Sequence, residues 1–181
     1  EKPARRVCRA GGIYGAGVLD YCIDHHLEFD ECIGVSAGSA NMASYIAKQK
    51  GRNYPCYLDY SFRKSYMSLE NIFKKKSYLD LRYVYEALSN EGGENPLDYD
   101  AFIASNKKFI AVGYDADHAQ PHYFTKEDMG RNQYQVLEAS CCLPAVCQSV
   151  EIDGIHYYDG GLAAPVPVQK ALDDGCDEVV L

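Results

Sequence analysis

The sequence predicts an α/β fold of three layers, with helices on both faces of a mainly parallel central sheet. Two observations carry this. Short apolar runs at 6–8 and 32–35 alternate with helix-like stretches at 16–26 and 37–50, the order that βαβ units require. The second apolar run also ends in Gly34-Val35-Ser36-Ala37-Gly38, a strand-to-helix turn flanked by glycines. At 181 residues the chain is long enough for one domain, 1–181, with a substantial core.

Taken in order, Arg6-Val7-Cys8 reads as a first strand, followed by the glycine-rich turn Gly11-Gly12-Ile13-Tyr14-Gly15. Val18, Leu19, Cys22 and Ile23 recur at helical spacing and predict a helix over 16–26. A second strand at 32–35 leads into a helix over 37–50, closed by Gly51. The tyrosine-rich stretch 52–80 has no clear period. Helices follow at 81–88 and 99–105, strands at 108–114 and 121–124, and a helix at 133–139. Asp153-Gly154, between apolar runs at 149–152 and 155–158, is a hairpin signal. A helix over 166–174 stops at Gly175, and 178–181 reads as a strand that has only begun, which suggests that relatives continue past Leu181.

Composition narrows the function. A net charge of −8 argues against nucleic acid as the main partner. The stretch from Arg63-Lys64 to Lys74-Lys75-Lys76 mixes lysines with Tyr66, Met67, Leu69, Ile72 and Phe73. Such a mixture suits a solvated helix face or peripheral contact with an anionic lipid surface. Of the eight cysteines, Cys22, Cys32 and Cys142 lie in apolar runs, and no Cys-x-x-Cys pair occurs. This pattern favours buried free thiols in a reducing, cytoplasmic setting over a disulfide framework or a zinc site.

The elbow carries the chemistry. A serine between glycines at a strand-to-helix turn can hold its hydroxyl exposed above the sheet, with the next helix's N-terminus beside it. Gly34 and Gly38 let the two arms approach. The same residues also suit a tight βα turn with an N-capping serine. A nucleophilic serine needs a base. The five histidines (His25, His26, His118, His122 and His156) fall at a helix end, around a turn or inside a strand, and none has the placement of a catalytic base. Asp159 follows a strand and precedes Gly160-Gly161, which suits either close approach to another backbone or a simple Asx turn.

Together these blocks resemble the patatin-like phospholipase family, particularly its bacterial-type members. The matching blocks are Ile33-Gly34-Val35-Ser36-Ala37-Gly38-Ser39-Ala40, Asp159-Gly160-Gly161-Leu162 with Pro165-Val166-Pro167, and the glycine turn before Ala16-Gly17-Val18-Leu19-Asp20. The resemblance implies a Ser-Asp dyad without histidine, with Ser36 as nucleophile and Asp159 as general base. A carboxylate is a weak base in water, and burial brings such a group closer to neutral pH. The resemblance also implies an oxyanion hole from the glycine turn. Here that turn reads Arg9-Ala10-Gly11-Gly12-Ile13-Tyr14-Gly15. It lacks the family's basic residue and falls about three residues short of the usual pattern. Gly11 and Gly12 remain available as donors, with the Ala37 N–H as the natural second arm.

The expected function is hydrolysis of carboxylic, fatty-acyl esters of lipids through an acyl-enzyme, with no metal or organic cofactor. The tyrosine-rich stretch 54–85 is a candidate acyl-binding wall or lid. A catalytically impaired lipid- or protein-binding module on the same fold is the alternative. A nucleotide-binding reading of Gly11-Gly12-x-x-Gly15 is weak, because the turn lacks the full Gly-x-Gly-x-x-Gly spacing.

Overall fold

A computed structural model describes residues 6–8 and 12–181. Strand β1 (Arg6–Cys8) precedes helix α1 (Gly12–Asp24), strand β2 (Glu31–Val35) and helix α2 (Ala37–Ile46). Short helices α3 (Tyr54–Leu58) and α4 (Leu69–Lys75) occupy the tyrosine-rich stretch, and Tyr83–Leu88 winds as a wider π-helix. Helix α5 (Tyr99–Ala104) leads to β3 (Lys108–Asp115) and β4 (Gln120–Phe124). Then come α6 (Gln135–Cys141), the hairpin β5 (Val150–Ile152) and β6 (Ile155–Asp159), α7 (Val168–Asp173) and β7 (Glu178–Val180).

The sheet is mixed. Its four-stranded body, β7-β1-β2-β3, is parallel throughout, as the alternation predicts. Strands β4 and β6 then pair antiparallel with β3, and β5 with β6. Side chains alternate across the body. Cys32, Phe109 and Ala111 enter a large core with residues of α1, α2 and α6, whereas Ile33, Val35, Ile110 and Val112 pack with Ala171 of α7 and Cys176. That alternation gives the three layers.

The register around β3 positions everything that follows. Residues 108–112 of β3 pair with β2, ending at Val35↔Val112. Residues 113–115 pair with β6, beginning at Gly113↔Asp159. Strand β4 overlaps both partners along 111–115, so it holds the opposite edge of β3. Strands β2 and β6 therefore share one edge and meet end to end. Gly160 is required at this junction, because a Cβ there would lie 2.2 Å from the Val112 carbonyl oxygen.

Several helix boundaries differ from the sequence expectation. Helix α1 starts at Gly12, four residues before Ala16, so Gly12 to Gly15 are helical. Burial of Gly15, Ala16 and Leu19 outweighs the ~1 kcal/mol that each helical glycine costs. Helix α2 ends at Ile46, and the chain reverses through Lys48 and Gly51, both in the left-handed region. The Asp153-Gly154 turn takes positive φ at both residues (52° and 80°), as its hairpin signal predicts. All eight cysteines are free thiols.

Glu138 on α6 is a costly group for such a core. It is 3 % exposed, and among the described residues its Oε1 has no hydrogen-bond partner. Burial first, then the nearby Glu86 charge, pushes its pKa up to about 7. The stabilisation from keeping this carboxyl neutral is complete below about pH 4.5. It is lost as pH rises through 7, at a cost of about 3 kcal/mol. Urea unfolding of the wild type at pH 5 and pH 8 is expected to show this fall, and Glu138→Gln is expected to flatten it.

Candidate active site

Ser36 stands at the top of β2 with φ 56° and ψ −134°, a conformation that costs a non-glycine residue about 1–3 kcal/mol. The elbow holds this strain. A Cβ on Gly34 would lie 2.3 Å from Ser39 Cα, so the strand and the first turn of α2 close only over glycine. The Ala37 N–H is the first of α2 and has no acceptor within the helix.

Asp159, at the end of β6, is 3 % exposed. Its Oδ1 accepts from the Gly161 N–H at 2.7 Å, whereas Oδ2 is buried without a partner among the described residues. The shared edge of β3 sets Asp159 one register step beyond Val35↔Val112, which makes it a neighbour of Ser36. A Cβ on Gly161 would lie 4.0 Å from Val35 Cγ1, so the turn after Asp159 reaches the end of β2. No direct hydrogen bond joins the Ser36 and Asp159 side chains. Catalytic hydrogen bonds are often long before substrate binds.

One short segment fixes both residues. Ser140 Oγ, fully buried at the end of α6, accepts from the Ser36 N–H at 3.1 Å and donates to the Val112 carbonyl at 2.7 Å. Its single proton is thus committed, so the 2.6 Å contact with Ser39 Oγ has Ser39 as donor. Two residues on, the Cys142 carbonyl accepts from the Asp159 N–H at 2.8 Å. Asn41 performs a related task on α2, donating to the Gly12 carbonyl at 2.9 Å and accepting from Tyr57 Oη at 3.2 Å. Sequence reading missed Ser140 and Asn41. Neither belongs to a motif, and only the register of α6 and α2 against the sheet gives them a role.

Of the expected oxyanion donors, Ala37 lies beside Ser36, Gly12 opens α1, and Gly11 lies outside the described residues. Ser36, Ala37 and Ala40 open onto a cavity of about 280 Å³. Tyr57, Tyr66, Met67 and Tyr85 from the tyrosine-rich stretch also line it. Cys141 faces the same space, but burial above all, with the Asp159 charge adding, pushes its thiol up to about 12. It stays protonated and is a poor nucleophile. The histidines lie elsewhere. His118 and His156 face Asp115 and Asp117, His25 stacks on Tyr21, and His122 packs on Phe124 and Tyr157.

A tight strand-to-helix elbow on a mixed sheet with a parallel body, with a buried carboxylate at the end of the adjoining strand, defines the class as an α/β protein with an elbow serine. The sequence model of the patatin-like phospholipase family matches residues 9–172, and the chain belongs to that family. It is also 30% identical over 185 aligned positions to Uncharacterized protein YjjU of Escherichia coli (strain K12). That alignment covers 97% of this chain and 50% of the relative, so the chain spans about half the length of the curated protein it matches.

Ser140→Ala would strand the Ser36 N–H and the Ser39 hydroxyl. Orphaned buried donors cost about 1–3 kcal/mol each, so a loss of about 2–4 kcal/mol is expected, with the melting temperature about 5–15 °C lower. A thermal melt of the variant checks this.

Proposed function

We propose that the protein is a serine acyl hydrolase that cleaves fatty-acyl esters of lipids through a Ser36-Asp159 dyad. The observation that carries this reading is the end-to-end meeting of β2 and β6, which sets the strained Ser36 beside a buried carboxylate with an unpartnered oxygen. Ser36 Oγ attacks the acyl carbonyl while Asp159 Oδ2 takes its proton. The Ala37 N–H, with Gly12 and Gly11 on the facing turn, holds the developing oxyanion, and the α2 N-terminus adds favourable partial charge. Collapse of the tetrahedral intermediate expels the alcohol, which takes a proton from Asp159, and leaves an acyl-Ser36 ester. Water then attacks the ester carbonyl as Asp159 accepts its proton; collapse breaks the acyl–Oγ bond, Asp159 returns that proton to Ser36 Oγ, and the fatty acid leaves.

Purified protein assayed on p-nitrophenyl acyl esters tests this reading. Ser36→Ala is expected to fall to background, and Asp159→Asn to lose about 10²–10⁴ in kcat, both with wild-type circular dichroism. Retained turnover in either folded variant would overturn the dyad. The alternative, a non-catalytic lipid- or protein-binding module, draws on the missing Ser36–Asp159 hydrogen bond and the short glycine turn. It predicts no turnover by the wild type and no covalent capture of Ser36.

Residues 58–76 are the proposed contact with the lipid surface. Leu58, Phe62, Leu69, Ile72 and Phe73 are exposed there, Phe73 at 88 %, with Lys64 and Lys76 exposed on the same stretch. Apolar side chains among lysines suit an anionic interface. No helix of the described residues is long and apolar enough to cross a membrane, and this reading needs none. Burial of one phenylalanine is worth about 1.5–3 kcal/mol. Phe73→Asp is therefore expected to lower activity on long-chain esters about tenfold or more, with short soluble esters unaffected. Equal loss on both would count against the contact.

A further inference from the structure

We infer that the far end of the Ser36 cavity is an anion subsite built on Arg52, shaped for an acyl group that itself ends in a carboxylate. The inference rests on the reading of Ser36 as an acyl acceptor and names the substrate class of that same cavity. Helix α2 serves as a ruler along it. Ala37, Ala40 and Ser44 stand at i, i+3 and i+7, on one face of the helix. Ala37 and Ala40 line the cavity beside Ser36, and Ser44 Oγ accepts from Arg52 Nη1 at 3.0 Å. Seven residues at ~1.5 Å each set the guanidinium about 10 Å from the nucleophile. An extended chain of about eight or nine bonds covers that span.

Arg52 lines the cavity together with Asn53 and Ser89. Its fixed contacts are all neutral. Nε donates to the Pro96 carbonyl (3.2 Å), and Nη2 donates to Ser89 Oγ and the Asn95 carbonyl (both 3.0 Å). With the Ser44 contact, four of five guanidinium donors are used, and one Nη1 N–H is left. Among the described residues no carboxylate lies within ion-pair distance of Arg52. Arg63 and Arg131, on the surface, each bind acidic side chains. Burial lowers the Arg52 pKa from its usual value, which marks the same cost. A cation drawn inward without a counter-charge is unfavourable until an anion arrives. Four neutral contacts hold the guanidinium in place, so a carboxylate would meet a preorganised donor.

The cavity volume agrees. At about 280 Å³ it sits near the lower end of small-molecule sites, ~300–1,000 Å³. That volume accommodates a medium-length acyl group whose far end reaches Arg52. Hydrolysis would release a dicarboxylic acid.

The test compares p-nitrophenyl octanoate with mono-p-nitrophenyl suberate, which has the same chain length and a distal carboxylate. Wild-type kcat/KM is expected to favour the suberate ester about tenfold or more, the scale of a charge-assisted contact. Arg52→Gln is expected to abolish that preference while octanoate turnover persists, and Arg52→Lys to retain part of it. Preference for octanoate by the wild type, or an unchanged ratio in a folded Arg52→Gln variant, would overturn the subsite. If neither ester is turned over, the acyl-hydrolase reading fails. Calorimetry with free suberate then tests the subsite separately: binding that Arg52→Gln abolishes supports it, and no binding by the wild type overturns it.

Discussion

Everything at the site depends on the shared edge of β3. One eight-residue strand accepts β2 along its first part and β6 along its last, with β4 closing the other edge. Backbone hydrogen bonding thus fixes the ends of β2 and β6 against each other. Ser36 and Asp159, more than a hundred residues apart in sequence, are thereby carried to adjoining strand ends. A register slip of one residue in either strand would turn its terminal side chain to the opposite face.

The second constraint is the helix layer above that edge. The end of α6 delivers a hydroxyl to the Ser36 N–H and a carbonyl to the Asp159 N–H, two residues apart. Helix α2 supplies the elbow's closing turn and, through Asn41, reaches across to Gly12. The strained backbone of Ser36 is over-determined by these contacts, which is the condition for strain to persist at a functional site. Ser39, Asn41, Ser140 and Asp159 are all at most 3 % exposed. The cavity beside Ser36 is lined by Ala37 and Ala40 of α2.

Much of this was legible in the sequence, and the limits have physical causes. The elbow could be read because only glycine tolerates the approach of Gly34 to Ser39, so the spacing carries the geometry. The Asp153-Gly154 hairpin was legible for the same kind of reason, a backbone demand that few residues meet. The early start of α1 was not, because tertiary burial of Gly15 and Ala16 overrides their local preference. The stretch 52–80 resisted reading because its tyrosines serve cavity and core at once and leave no period. Ser140, Asn41 and Arg52 are isolated polar residues in ordinary helical or turn sequence. Their partners, at 36, 12 and 44, 89, 95 and 96, come from elsewhere in the fold.

On the proposed reading, the β3 edge makes Ser36 and Asp159 one reactive unit. A crystal structure of the protein after reaction with an alkyl fluorophosphonate tests it most directly. Expected are phosphorus bonded to Ser36 Oγ, the phosphoryl oxygen on the Ala37 N–H, and an Asp159 carboxylate oxygen about 3 Å from Ser36 Oγ, within proton-transfer reach. An unmodified Ser36, or an adduct with Asp159 turned away beyond that reach, would contradict it.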